Sequence, residues 1–149
     1  MPDPAPGEVF HDPQFTFRDG PSGNKLFVLL AIADHGVLLV ARTTSNPASK
    51  SRGYGCHNND RFHNFFIPRE AGLFREDTWI SLDYLTEFTA APFRQRLADG
   101  PLHKLSFHLP TGVLRDLLRC AIESDGTTPA QETMLHITYA RLAPSGNSA

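Results

Sequence analysis

Val37-Leu38-Leu39-Val40-Ala41-Arg42-Thr43-Thr44-Ser45 is an aliphatic run that passes without a break into a cation and three hydroxyls. Four consecutive aliphatic residues read as a strand crossing a core, so the polar residues after them are delivered at the edge of that core. Just upstream, Lys25-Leu26-Phe27-Val28-Leu29-Leu30-Ala31-Ile32 reads the same way. The intervening Asp34-His35-Gly36 is a short turn, which predicts an antiparallel hairpin. Residues 19–24 hold two glycines and a proline and read as an irregular loop that presents Lys25 across the edge from Thr43 to Ser45.

On the N-terminal side, Gly7-Glu8-Val9-Phe10 and Gln14-Phe15-Thr16-Phe17-Arg18 predict a strand bent at Asp12-Pro13, after a proline-rich, disordered tail over residues 1–6. On the other side, residues 46–64 carry almost nothing aliphatic and read as a long polar loop. Phe65-Phe66-Ile67 and residues 77–83 restore strands, and residues 84–97 read as a strand end followed by a short helix. The clearest helix starts near Thr111, an N-cap candidate, and places Val113, Leu114, Leu117, Leu118, Ala121 and Ile122 on one stripe. Residues 125–149 form a C-terminal extension in which Thr128-Pro129-Ala130-Gln131 is a capping pattern, while Ile137-Thr138-Tyr139 suits either a helix or a strand. The reading is mainly β with helices (α+β): a small twisted barrel or sheet with a helix packed on it, in one domain spanning 1–149.

A chain of 149 residues buries roughly 70% of its unfolded surface, enough for a core without staples. Cys56 and Cys120 are too few for a disulfide framework and are read as reduced thiols of a cytoplasmic protein. The opening residues lack the basic start and apolar core of a signal peptide, and no run reaches the roughly 18 apolar residues of a membrane span. With a formal charge of -2, nucleic-acid binding has to rest on a local patch.

Phosphate-binding glycine loops, the H-E-x-x-H zinc motif and the G-x-S-x-G elbow are absent. The remaining chemistry near the central strands is Arg18, Lys25, Arg42, Thr43, Thr44, Ser45, His57 and His63. RNA cleavage without a metal needs a base for the 2'-hydroxyl, an acid for the leaving 5'-oxygen and donors to the phosphoryl oxygens. Cations and hydroxyls at strand ends supply the donors, and histidine the proton transfers. Each residue also has a plain structural reading: surface charge for the cations, strand propensity for the threonines, packing or solvent exposure for the histidines. Cys56, His57, Asp60 and His63 lack an established zinc spacing, and neither metal nor cofactor is expected. Tyr54, Phe62, Phe65 and Phe66 offer rings for unpaired bases, though the last two also begin a core strand.

The order of these segments resembles the MazF/PemK family of toxin endoribonucleases. Gly7-Glu8-Val9-Phe10 is similar to that family's opening strand, and Gly23-Asn24-Lys25-Leu26 leads into its aliphatic strand. Val40 to Ser45 is similar to its strand ending in a Thr-Ser pair, Gly72-Leu73 with Asp77 to Asp83 to its Gly-Leu turn and Asp-led strand, and Leu102 to Ser106 to its closing segment. The resemblance implies an SH3-like barrel (PemK/CcdB-like) that forms a homodimer, cleaves single-stranded RNA through a 2',3'-cyclic phosphate and is silenced by a cognate antitoxin. It assigns phosphoryl stabilisation to Thr44 and puts Lys25, followed by Leu26, where the family has Arg-Pro. A lysine lacks the planar fork of the guanidinium. The loop histidines, His57 or His63, are expected to fold over the Lys25/Thr44 edge as acid or base, with Arg42 or Arg61 on the phosphate. The alternative is a non-catalytic binding module, as in the CcdB-like gyrase poisons.

Overall fold

A computed structural model of the chain describes residues 3–16, 22–47 and 50–142. Its elements run β1 (Glu8–Thr16), β2 (Ser22–Ile32), β3 (Val37–Thr44), β4 (Gly55–His57), β5 (Asn64–Ile67), β6 (Thr78–Ser81), β7 (Thr86–Thr89), α1 (Ala90–Asp99), β8 (His103–His108), α2 (Thr111–Ile122) and α3 (Pro129–Arg141). A 3-10 turn, Arg69–Ala71, precedes β6. The class is α+β, with an antiparallel sheet of eight strands.

β3 organises that sheet. One of its edges pairs with β2, from Phe27 opposite Arg42 to Ile32 opposite Leu38. The other edge is divided: Val37 to Val40 face β7, whereas Thr43 and Thr44 face Ile80 and Trp79 of β6. The sheet therefore forks at β3, with β2-β1-β8 on one arm and β6-β5-β4 on the other. It does not close, since β4 and β8 remain its outer strands.

β2 and β3 are unbroken apolar runs because both their faces are covered. Val9, Val28 and Ala41 join Leu114, Leu117 and Leu118 of α2 and Leu135 of α3 in the larger core. Phe10, Phe27, Leu29, Leu38 and Val40 form a second core with Phe93 of α1. A register shift between Leu29 and Ala31 leaves Leu30 without a cross-strand partner, and both Leu30 and Ala31 then enter the larger core. Burying a leucine such as Leu30 contributes about 1.5–3 kcal/mol of transfer free energy.

Several expectations need correction. Ser22, Gly23 and Asn24, read as loop, belong to β2, because the register of the β1–β2 hairpin carries on to Thr16 opposite Ser22. The expected 46–64 loop contains β4, which pairs along β5 from Gly55–Phe66 to His57–Asn64. Cys56 and Cys120 are not free thiols but a disulfide with a Cα–Cα distance of 5.4 Å. That pairing places Cys56 against α2, within the reach a bridge requires, and removes the argument for a reducing compartment. Asp3 pairs with Arg94 at 3.1 Å and Pro4 is buried, so part of the segment read as a disordered tail touches the body of the fold. Thr111 is the first residue of α2 rather than its cap: Pro110 takes that place, and its carbonyl accepts the Leu114 N–H at 2.9 Å. α3 carries the expected capping box between Thr128 and Gln131, and Ile137 to Tyr139 are helical because Gln131, Met134, Leu135 and Thr138 form its buried face. Among the described residues, no helix is long and apolar enough to cross a membrane.

Candidate functional site

At the end of β3 the chain leaves the core. Thr43 is buried and its hydroxyl donates to the Leu26 carbonyl at 2.9 Å, tying β3 to β2. Thr44 is half-buried, and its Oγ1 accepts the Asn46 N–H at 3.1 Å, a local turn that leaves the hydroxyl hydrogen available to a ligand. Ser45 is exposed.

These hydroxyls line a cleft of about 480 Å³. Its second wall is the segment after the 3-10 turn, with Leu73, Phe74, Arg75, Glu76 and Thr78. Its third is β8, through Leu105, Ser106 and Phe107. Phe74 meets Phe107 edge-on, with ring centroids 5.2 Å apart, so the two arms of the sheet approach each other here through side chains. A smaller depression of about 280 Å³ shares Ser45 and Glu76 with the cleft and adds Arg52, Arg69, Glu70, Asp77 and Trp79. There Arg52 bonds Asp77 at 2.6 Å and lies 5.4 Å from the centre of the Trp79 ring. The Arg69 N–H and then the Arg52 guanidinium hold the Asp77 carboxyl below its ordinary value.

The structure brings Thr43, Thr44 and Ser45 into one cleft and sends the other candidates elsewhere. Lys25 sits on β2, and two further steps of the β2–β3 register place its position opposite Thr44; its side chain, like all of Arg18, lies outside the described residues. Arg42 shares β3 with Thr44 but does not line the cleft. His57 is on β4, three strands from β3, roughly 14 Å at ordinary strand spacing, with Nε2 held at 2.7 Å by the Gly53 carbonyl. His63 is pinned beside the end of α2, where its Nδ1 accepts the Asp125 N–H at 3.1 Å and lies 2.9 Å from Ser124 Oγ. Arg61 stands 5.2 Å from the centre of the Phe62 ring, beside His63. The expectation that His57 or His63 covers the Thr44 edge, with Arg61 on the phosphate there, is therefore not met. The reason is topological: β4 and β5 carry the polar loop away from β3 to the far edge of the sheet.

Of the expected stacking rings, Phe65 and Phe66 are core residues. Tyr54 donates its hydroxyl to Asp116 at 2.9 Å, and burial followed by that neighbour pushes its phenol well above the ordinary range. Cys56 is committed to its bridge and has no thiolate to offer a metal. The sequence reading missed Arg75, Glu76 and Ser106. The signals in the sequence were the charged run Arg75-Glu76-Asp77 and the polar-apolar alternation Lys104-Leu105-Ser106-Phe107-His108.

The cleft presents hydroxyl donors, one guanidinium and one carboxylate around a partly apolar floor. Such a set stabilises charge on an anionic oxygen and accepts a proton. No family model, curated protein or solved structure matches the chain.

Proposed function

We propose that this cleft binds single-stranded RNA and cleaves it, as an endoribonuclease toxin restrained by a cognate antitoxin. The observation that carries the reading is the convergence of Thr43, Thr44 and Ser45 with Arg75 and Glu76 around one opening. In this scheme Glu76 takes the proton of a ribose 2'-hydroxyl, whose oxygen forms a bond to the adjacent phosphorus. The bond from phosphorus to the 5'-oxygen breaks, the Lys25 ammonium protonates that leaving oxygen, and a 2',3'-cyclic phosphate remains. Thr44 and Arg75 donate to the phosphoryl oxygens as charge develops on them. Phe107, half-buried on β8, borders the place of a neighbouring base. The approach of Phe74 and Phe107 across the gap between the arms supports reading the sheet as an SH3-like barrel left open at β8. A homodimer, and a cytoplasmic site of action, belong to the same reading.

A second reading has its own support. Leu26, Leu73, Phe74, Leu105 and Phe107 give the cleft an apolar floor suited to a segment of a partner protein, so that the chain acts as a CcdB-like or degenerate PemK-like binding module. Incubation with mixed single-stranded RNA in EDTA separates the two. Cleavage to 2',3'-cyclic phosphate ends, reduced at least about a hundredfold by Thr44→Ala, Arg75→Ala and Glu76→Gln, supports the nuclease. Intact RNA after prolonged incubation with folded wild-type protein refutes it and leaves the binding module.

A further inference from the structure

A second cleft, of about 540 Å³, lies where three segments meet: residues 61–63, 83–84 and 125–128. Its frame is fixed by hydrogen bonds that serve no purpose at the Thr44 cleft. The Leu82 N–H donates to the His63 carbonyl at 2.9 Å, Ser124 Oγ donates to the Leu82 carbonyl at 3.2 Å, and the Gly126 N–H donates to Ser124 Oγ at 3.1 Å. Gly126 lies so close to the next segment that a Cβ there would stand 2.3 Å from the Asp83 carbonyl oxygen. The walls are thus held in place before any ligand arrives.

Two rings project into this rigid frame, Phe62 at 43% and Tyr84 at 48% exposure. Among the described residues the only other large apolar side chains so exposed are Tyr54 and Ile137. Two carboxylates line the same cleft. Asp125 is 99% exposed, and the Asp83 carboxylate makes no hydrogen bond or ion pair among the described residues. One cation opposes them: the Arg61 guanidinium, 5.2 Å from the centre of the Phe62 ring. His63 stands on the same side, its Nε2 4.0 Å from the Asp125 carboxylate, so that Asp83 is the carboxylate left without a partner among the described residues.

Aromatic faces attract cations through their quadrupole, and carboxylates at the rim add the complementary charge. With two carboxylates against one permanent cation, and Asp83 unpartnered among the described residues, the cleft favours a positive group over a phosphate. We propose that this cleft is a binding site for an organic cation, an ammonium or guanidinium carried on an apolar stem. The stem lies against Tyr84 and Phe62 and the charge reaches Asp83. Arg61 occupies part of the same place in the free protein, as a built-in competitor that the ligand displaces from Phe62.

Titration calorimetry on the full chain at low salt tests this with three probes: a blocked tripeptide Gly-Lys-Gly, spermidine, and the uncharged Gly-norleucine-Gly isostere. The lysine peptide or spermidine binds and the isostere does not; which of the two binds identifies a polypeptide or a free amine as the source. Asp83→Asn and Tyr84→Ala each weaken binding about tenfold, Tyr84→Phe restores it, and Arg61→Ala strengthens it several-fold. Thr44→Ala leaves it unchanged, which keeps this site separable from the RNA reading. Absence of binding at 20 mM overturns the proposal, as does wild-type affinity in folded Asp83→Asn and Tyr84→Ala proteins. So does weaker binding of the cationic probes in Arg61→Ala, which would show that Arg61 supports this face rather than competing for it. Self-association abolished by Tyr84→Ala, without cation binding, would likewise assign the face to a second copy of the chain.

Discussion

Removing the Cys56–Cys120 bridge is the perturbation with the largest expected effect on stability. The bridge joins residues at a sequence separation of 64. In the chain-entropy treatment, the entropy it withholds from the unfolded chain is −2.1 − 1.5R ln n, about −14 cal/mol/K for a loop of this length, or about 4 kcal/mol at 25 °C. For a chain of 149 residues each kcal/mol shifts Tm by about 2–4 °C, so the unbridged protein should melt roughly 8–16 °C lower. The suitable variant replaces both cysteines by alanine. Serine at 120 would bury a hydroxyl where the native sulfur is only 1% exposed. Scanning calorimetry of the oxidised protein, the dithiol-reduced protein and the double-alanine variant gives the shift directly. The urea m-value should rise at the same time, because an unbridged unfolded chain exposes more surface. Hydrogen exchange should locate the native-state loosening at β4, whose three residues pair only with β5. Two free thiols titrated in the unreduced protein, or a Tm unchanged within about 2 °C by reduction, would refute the reasoning.

Other expectations concern single sites. Gly126→Ala should destabilise by about 2–3 kcal/mol in urea unfolding, because its Cβ meets Asp83 backbone at 2.3–2.7 Å. By contrast, Gly112→Ala in α2, with nothing within 4 Å of the added carbon, should stabilise by about 0.5–1 kcal/mol. Leu117→Ala, at a fully buried position of α2, should cost about 3 kcal/mol in the same assay. Trp79, the sole tryptophan, reports on the depression beside the cleft, since its indole N–H donates to the Ser51 carbonyl at 2.9 Å. The Asp77 carboxyl is held below its ordinary value of 3.8, so the Arg52–Asp77 contact is intact above that pH and is lost as pH falls through the lower folded value. Trp79 emission should therefore stay constant from about pH 8 to 5 and shift only in stronger acid; a transition near neutrality would contradict this ordering of charges.

Much of the fold was legible because its central elements declare themselves locally. The aliphatic runs of β2 and β3 are uninterrupted since both faces are buried, and the 3.6-residue stripe of α2 reflects packing on one face only. The capping box of α3 is likewise spelled out by Thr128-Pro129-Ala130-Gln131. Thr43, Thr44 and Ser45 could be placed at a core edge for the same reason: the strand that delivers them ends where its apolar residues end.

The partners of those hydroxyls were not legible. Arg75 and Glu76 reach the cleft because β6 pairs with the last two residues of β3, and Ser106 because β8 pairs with β1 and Phe107 packs on Phe74. His57, His63 and Arg61 were near Thr44 in sequence, and the β4–β5–β6 arm then carried them to the opposite edge.

Val37 to Ser45 by itself determined that a buried strand ends in a cation and three hydroxyls, because hydrophobic periodicity is a local property of the chain. Only the tertiary structure decided that β3 divides its edge between β6 and β7, that Cys56 meets Cys120, and that Arg75 and Glu76 rather than the histidines face Thr44. Those choices depend on pairings between residues tens of positions apart, whose free energy lies in burial and register once the chain has closed, and no local spacing records them.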